Sequence, residues 1–318
     1  MTEINEEDFK IEYKTDEEIG KFLDDNGYPK YPRSTGRYAL FANGVDDCSR
    51  KLWYDFLDFP QLKATEAQGS RVMGAGDDHH EAIINELKLS GVYIVDEWSG
   101  KYSDPQLTHP FSIRTDAIID VSKMPETSAL KVFREKYVGI NDIPVEIKSV
   151  NDGAWSGFHF KKWKNGREET IDIWGTKDKP KLSHVCQLMV NLKVLNKPYG
   201  LLLYSNRNSE ERMYYWVEWN QALWDALITK YVQLEVDIVA KREPDRHPSC
   251  AKIVLEFYQK NGAWGKEGDL KKGELPYPAK FCGHFARCFR NELAKQGNEE
   301  TKKRAEELIK EFGEKTGK

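Results

Sequence analysis

Hydrophobic and polar positions follow two rhythms along this chain. Period-two segments enriched in β-branched residues fall at IRTDAIIDV (113–121) and PVEIKSV (144–150), and they predict strands. GLLLYS (200–205) is an apolar run of strand length, and MYYWVEW (213–219) is another. Helical spacing appears at 79–90, where Ile83, Ile84 and Leu87 share a stripe, and at 183–195 through Val185, Leu188, Leu192 and Leu195. The second half of 34–59 sets Leu52, Phe56 and Leu57 on one side, and a short helix is expected near 16–23. Residues 220–241 form a long amphipathic helix through Leu223, Leu227, Leu234 and Ile238, and a charged helix starts near Glu299. Between the first two strands lies an insertion punctuated by Pro125, Gly139 and Pro144, expected as a surface excursion. The order helix, strand, strand, helix, strand predicts an α/β fold with a central mixed β-sheet flanked by helices.

Composition narrows the class. Nine Trp, fifteen Tyr and fourteen Phe in 318 residues need burial, so a folded core is expected rather than disorder. No apolar run approaches the roughly 18 residues of a membrane helix. The start, MTEINEEDFK, is neither a signal nor a transit peptide, so an intracellular, cytoplasmic protein without membrane contact is expected. The net charge of −4 is unevenly spread. Residues 1–25 hold ten acids and three bases, a charge of −7 that leaves +3 for the other 293 residues. FHFKKWKNGR (158–167) has four positive residues and no acid, a basic segment that an average near neutrality conceals. Five cysteines, an odd number in a reducing compartment, argue against a disulfide framework and leave metal binding or simple burial open.

Candidate chemistry begins at Glu146 and Lys148. Two apart on a strand, they point to one face, opposite Val145, Ile147 and Ser149. They are either a weak ion pair on an exposed edge or a buried acid and base held there for a purpose. Asp116, flanked by Ile113, Ala117, Ile118 and Ile119, is a candidate metal ligand if the two strands pair, with Asp120 as the rival acid. Asp116, Glu146 and the carbonyl of Ile147 could offer three oxygens to Mg²⁺ or Mn²⁺, with Lys148 beside them to position water or stabilise phosphoryl charge. His80, in GDDHHEAI, shares a helix face with Ile84 and Leu87 and should point inward, as a core histidine or a ligand. The 183–195 helix places His184, Gln187 and Asn191 on one stripe, facing either solvent or a groove.

Taken in order, these residues resemble the RecB-like branch of the PD-(D/E)xK nuclease superfamily, near its phage-encoded and CRISPR-associated exonucleases. The matching segments are CSRKLWY (48–54), Gly76 with His80, Asp116, Glu146-Ile147-Lys148, His184 with Gln187, and GLLLYSNRN (200–208). They run from about Ser34 to Trp219, over half the chain. The resemblance implies a restriction-endonuclease-like core at 34–245, an acidic N-terminal extension at 1–33 and a helical C-terminal region at 246–318. It also implies Mg²⁺ or Mn²⁺ held by His80, Asp116, Glu146 and the Ile147 carbonyl, with Lys148 assisting the attacking water. Gln187 would contact the site or the DNA backbone, although the tyrosine of the family's Q-x-x-x-Y motif is Asn191 here. The spacing from Asp116 to Glu146 is also longer than the pattern.

The implied activity is DNA exonuclease, acting on single strands or ends in recombination, repair or phage DNA metabolism. The alternatives are a non-catalytic nucleic-acid-binding protein on the same fold and a site-specific endonuclease. The basic segment, with Trp155, Lys161, Lys162, Trp163, Lys164 and Arg167, would guide the strand by stacking and phosphate contacts, or be a solvated loop. Some relatives carry a 4Fe-4S cluster, for which Cys48, Cys250, Cys282 and Cys288 are the candidates here. Cys282 and Cys288 keep the family's last gap, but Ala279 stands where a cysteine is usual. Four ordinary cysteines are the other reading. Cys186, inside the Gln187 helix, is expected to be simply buried.

Overall fold

The computed structural model of the chain describes residues 13–15, 18–19, 48–57, 59, 67–150, 160–164, 167–171, 175–176, 179–247, 284–296 and 299–317. In chain order the elements are β1 (Tyr13–Thr15), α1 (Ser49–Phe56), α2 (Ala67–Leu89), β2 (Tyr93–Tyr102), β3 (Phe111–Asp120) and α3 (Lys131–Lys136). There follow β4 (Asp142–Val150), β5 (Phe160–Lys164), β6 (Arg167–Ile171), β7 (Gly175–Thr176), β8 (Lys179–Pro180) and α4 (Leu182–Leu195). The last are β9 (Tyr199–Asn206), β10 (Arg212–Glu218), α5 (Gln221–Val239), α6 (Phe285–Cys288), α7 (Arg290–Gln296) and α8 (Glu299–Thr316).

The chain divides into two compact units that do not follow chain order. One comprises Thr2–Asp46 and Glu66–Thr229; the other joins Asp47–Thr65 to Lys230–Lys318. The first holds a six-stranded sheet in the order β1-β10-β9-β4-β3-β2. Only β4 and β9 run parallel, and every other neighbouring pair is antiparallel. The fold is therefore α/β with a mixed sheet, as the periodicity predicts. A parallel neighbour demands a crossover, and here it runs through β5 to β8 and α4.

A different helix lies against each face of the central strands. On one side, Ile83, Ile84 and Leu87 of α2 join Val145, Ile147, Leu201 and Leu203 in a single buried cluster. On the other, α4 comes so close that a Cβ on Gly200 would meet Pro144 O at 2.9 Å and the Leu188 and Leu192 side chains at 3.1 Å. Glycine is needed there for the helix to seat. β9 is buried at all eight positions, which accounts for its continuous apolar run. α4 stops at Asn196, whose left-handed φ of 50° lets the next N–H, that of Lys197, reach back to the Leu192 carbonyl at 2.9 Å.

Three expectations change. The insertion after β3 is not only a surface excursion, because Val121, Met124, Leu130 and Phe133 enter the core and Phe133 stacks on Tyr199 at 5.3 Å. The basic segment is paired backbone rather than loop: β5 and β6 form a hairpin in which Lys162 stands across from Glu169 and Trp163 from Glu168. The acidic N-terminal stretch contributes an edge strand, β1, paired with β10 from Tyr13↔Val217 to Thr15↔Tyr215. Of the short helix expected at 16–23, Glu18 and Ile19 are helical and the rest lies outside the described residues.

The second unit is helical, built from α1, the C-terminal part of α5, and α6 to α8. Its core is aromatic: Trp53 lies 5.9 Å from Phe59 and 5.8 Å from Phe312, and Tyr54 meets Phe59 edge-on. Among the described residues no helix is long and apolar enough to cross a membrane.

Candidate active site

β4 carries the candidate chemistry because it is an interior strand whose two faces lie beneath different helices. Its ladder with β3 runs from Asp120↔Asp142 to Ala117↔Val145. One further step of that register would set Asp116 opposite Glu146. There the side chain of Thr115 takes over, donating to Val145 O at 3.2 Å. The two carboxylates therefore face each other where the strands cease to pair.

Glu146 is the floor of the site, with its side chain 2% exposed. Its Oε1 accepts from Lys148 Nζ and from Gln187 Nε2, both at 2.6 Å, and its Oε2 accepts from Asn191 Nδ2 at 3.1 Å. Lys148 Nζ also donates to Gln187 Oε1 at 2.8 Å, closing a triangle. Gln187 and Asn191 are one turn apart on α4, and hence on the same face. That polar stripe is buried rather than solvent-facing, as is Asn191 throughout. The Oδ1 of Asn191 accepts no hydrogen bond among the described residues.

Asp116 closes the other side. Its Oδ2 accepts the Ile147 N–H at 2.7 Å and lies 3.3 Å from His80 Nε2. His80 thus points inward from α2 onto a carboxylate. Lys148, His80 and Asp116 keep 20%, 14% and 11% of their side chains exposed, so they mark the solvent side of the site.

Electrostatics separate the two acids. Burial and the facing Asp116 push the Glu146 carboxyl up to about 7, against the pull of Lys148. Burial also works against Asp116, but His80, Lys148 and the Ile147 N–H overcome it and hold the carboxyl down at about 2. Burial, and then Lys148 and Lys181, keep His184 well below its ordinary value, so it is neutral. Its Nδ1 meets the Tyr204 hydroxyl at 2.7 Å, and that hydroxyl also accepts from Lys181 N.

Asp116, Glu146, Lys148, Gln187, His80 and Ile147 are thus gathered in one place. The rival Asp120 is not among them. It caps the turn after β3, accepting from Ser122 N and Oγ. Asn191 stands on the expected stripe, but nothing in the sequence signals its bond to Glu146 or the place of Tyr204 behind His184. Lys161, Lys162, Trp163, Lys164 and Arg167 are placed along the β5–β6 hairpin, and Trp155 lies outside the described residues. Cys186 is buried in α4. Cys48 caps α1 and Cys288 ends α6, in the helical unit, and the two are close enough for Cys48 to act electrostatically on the Cys288 thiol. Cys250 and Cys282 lie outside the described residues.

No family model matches the chain, and no curated protein does. Among solved structures, the crystal structure of SSO0001 is similar over 76% of this chain and 93% of that chain, at 16% identity and a TM-score of 0.34. A likeness of that size says nothing about fold or activity here.

Proposed function

We propose that this protein is a divalent-metal-dependent deoxyribonuclease that hydrolyses DNA from its ends. The observation that carries the reading is the buried carboxylate pair, Asp116 and Glu146, with Lys148 bonded between strand and helix where the β3–β4 ladder stops. Two acids forced together with different proton affinities are a recurrent mark of catalytic sites. The resemblance to RecB-like nucleases supports the choice of substrate.

The donor set suits a hard divalent cation. Two carboxylates and an imidazole are ligands that Mg²⁺ or Mn²⁺ takes, and the Asn191 Oδ1 is a buried acceptor in want of a positive partner. As the side chains stand, no three His, Cys, Asp or Glu among the described residues form a ready cage. His80, Asp116, Glu146 and the Ile147 carbonyl would hold the ion. A bound cation would polarise the scissile phosphate and make an attached water more acidic.

The residues themselves do the rest. Asp116 stays ionised, fixed by the Ile147 N–H and His80. Gln187 and Asn191 hold both Glu146 oxygens, so the carboxyl cannot swing. Lys148, at the solvent side, offers its ammonium to the incoming water or to charge developing on the phosphate. A non-catalytic nucleic-acid binder is the second reading, favoured by the occupancy of both Glu146 oxygens by protein donors. The 4Fe-4S cluster is part of the proposal only through Cys48 and Cys288, and burial pushes the Cys288 thiol up against the pull of Arg50 and Arg246. Iron and sulfide content of anaerobically purified protein tests it.

The deciding experiment is a time course on end-labelled linear and circular DNA, single- and double-stranded, with Mg²⁺, Mn²⁺ or EDTA. Metal-dependent loss of linear DNA, abolished by Lys148→Ala and Asp116→Ala, is expected. Cleavage of circles would point to an endonuclease. Binding without cleavage under any metal would leave the non-catalytic reading.

A further inference from the structure

A second polar cluster lies at the carboxyl ends of β4 and β9, on the α2 face of the sheet. Strand register sets Ser149 beside Ser205, one position beyond Lys148 and Tyr204. Above them α2 carries Gly76 and His79, three apart and so neighbours on the helix surface. His79 Nε2 lies 2.8 Å from Ser205 Oγ. A Cβ on Gly76 would stand 3.4 Å from Ser149 Oγ and 3.7 Å from Arg207 Nη1, so a hydroxyl and a guanidinium both reach the bare backbone of the helix. Arg207 is anchored at its base, where its N–H donates to Val150 O at 2.7 Å.

The fold does not require glycine at position 76. The residue lies inside α2 with no left-handed φ, and an added Cβ would make only ordinary van der Waals contacts. Alanine would form a better helix there. What glycine provides is room, and that room is bounded by a guanidinium, a serine hydroxyl and an imidazole–hydroxyl pair. Those groups suit a phosphate: arginine matches two of its oxygens with a planar fork, and a bare glycine lets a third approach the backbone.

We propose that Gly76, Ser149 and Arg207, backed by the His79–Ser205 pair, form a cradle for one backbone phosphate of DNA, beside the phosphate that is cut. This deepens the nuclease reading and rests on it for the choice of ligand. Holding the neighbouring phosphate would fix the strand against Asp116, Glu146 and Lys148 before the reaction begins.

The test is fluorescence anisotropy with a labelled single-stranded oligonucleotide in EDTA across a salt series, with melting temperatures measured in parallel. Arg207→Ala is expected to weaken binding about tenfold, the worth of one charge-assisted contact. It should also flatten the slope of log affinity against log salt by about 0.7. Arg207→Lys should keep the slope but not the full affinity. Gly76→Ala should weaken binding by a similar factor while melting at the same temperature or higher. Unchanged binding in both Arg207→Ala and Gly76→Ala overturns the cradle, as does a Gly76→Ala protein that binds normally but melts lower. The two readings separate cleanly. Wild-type protein that cuts DNA, with Arg207→Ala binding as before, removes the cradle and keeps the enzyme. Protein that binds but never cuts, with Arg207→Ala weakened, keeps the cradle and removes the enzyme. No binding and no cutting by the wild type removes both.

Discussion

Each unit of the molecule buries a cluster of charged side chains, and the two clusters are built differently. In the helical unit, Arg290 forks onto both oxygens of Glu243 at 2.9 Å, and Tyr54 and Arg50 add to the same carboxylate. His284 faces Asp55, Arg287 faces Glu311, and Arg246 faces Glu292. Acid meets base throughout. Burial works against the charges of Glu243 and Glu292, yet the facing arginines hold both carboxyls below their ordinary values. In the sheet unit two carboxylates face each other, and Glu146 is pushed up to about 7. A balanced network costs desolvation and returns it as rigid geometry. In the sheet unit the conflict between the two carboxylates is relieved by the proton that Glu146 holds instead.

The largest effect is expected from breaking the balance in the helical unit. Arg290→Ala leaves Glu243 buried with a poorer partner and should cost about 3 kcal/mol in urea denaturation followed by tryptophan fluorescence. Removing both ends, as Arg290→Met with Glu243→Gln, should cost less; an equal or larger loss would mean the pair is worth more than its desolvation. Lys148→Ala should do the reverse, lowering cleavage on the order of 10²–10³-fold while leaving the unfolding midpoint little changed. If the midpoint collapses instead, the sheet-unit cluster is structural too.

The next test is pH. In the metal-free protein Glu146 keeps its proton up to about 7, against an ordinary value of 4.5. Because the folded state holds that proton more tightly, the stabilisation is full below 4.5 and is lost as pH rises through about 7. Asp116, held near 2, titrates below this window. Wild-type stability should therefore fall by up to a few kcal/mol across it, since each tenfold difference in proton affinity between folded and unfolded chain is worth about 1.4 kcal/mol. Glu146→Gln should show no such slope, and added Mn²⁺ should flatten the wild-type one. Smallest of all, Asn191→Ala removes one neutral donor from Glu146 and should cost about 1 kcal/mol of stability, read from the same denaturation curves.

Much of the frame can be read along the chain. β3, β4, β9 and β10 fall within a few residues of their expected spans because alternation and apolar runs are local properties. β2 does not announce itself: YIVDEWSGKY is an edge strand, and exposed Ile94 and Val95 sit among polar neighbours. The β5–β6 hairpin has a signal in Asn165-Gly166, a favoured two-residue hairpin connection, which the surrounding lysines obscure. Leu130 and Phe133 read as parts of a loop because Pro125 and Gly139 frame them, and only packing makes them core.

The same division runs through the candidate site. That Glu146 and Lys148 share a face, and that Gln187 and Asn191 share a stripe, follows from strand and helix geometry in the sequence itself. That these two faces meet, that the β3–β4 ladder ends one step before Asp116 and Glu146, and that Asn191 is buried all depend on contacts between residues 30 to 45 positions apart. The alternation of a strand says which side chains travel together. Burial, and with it the proton affinity of a carboxylate, is set by whatever distant element comes to cover them.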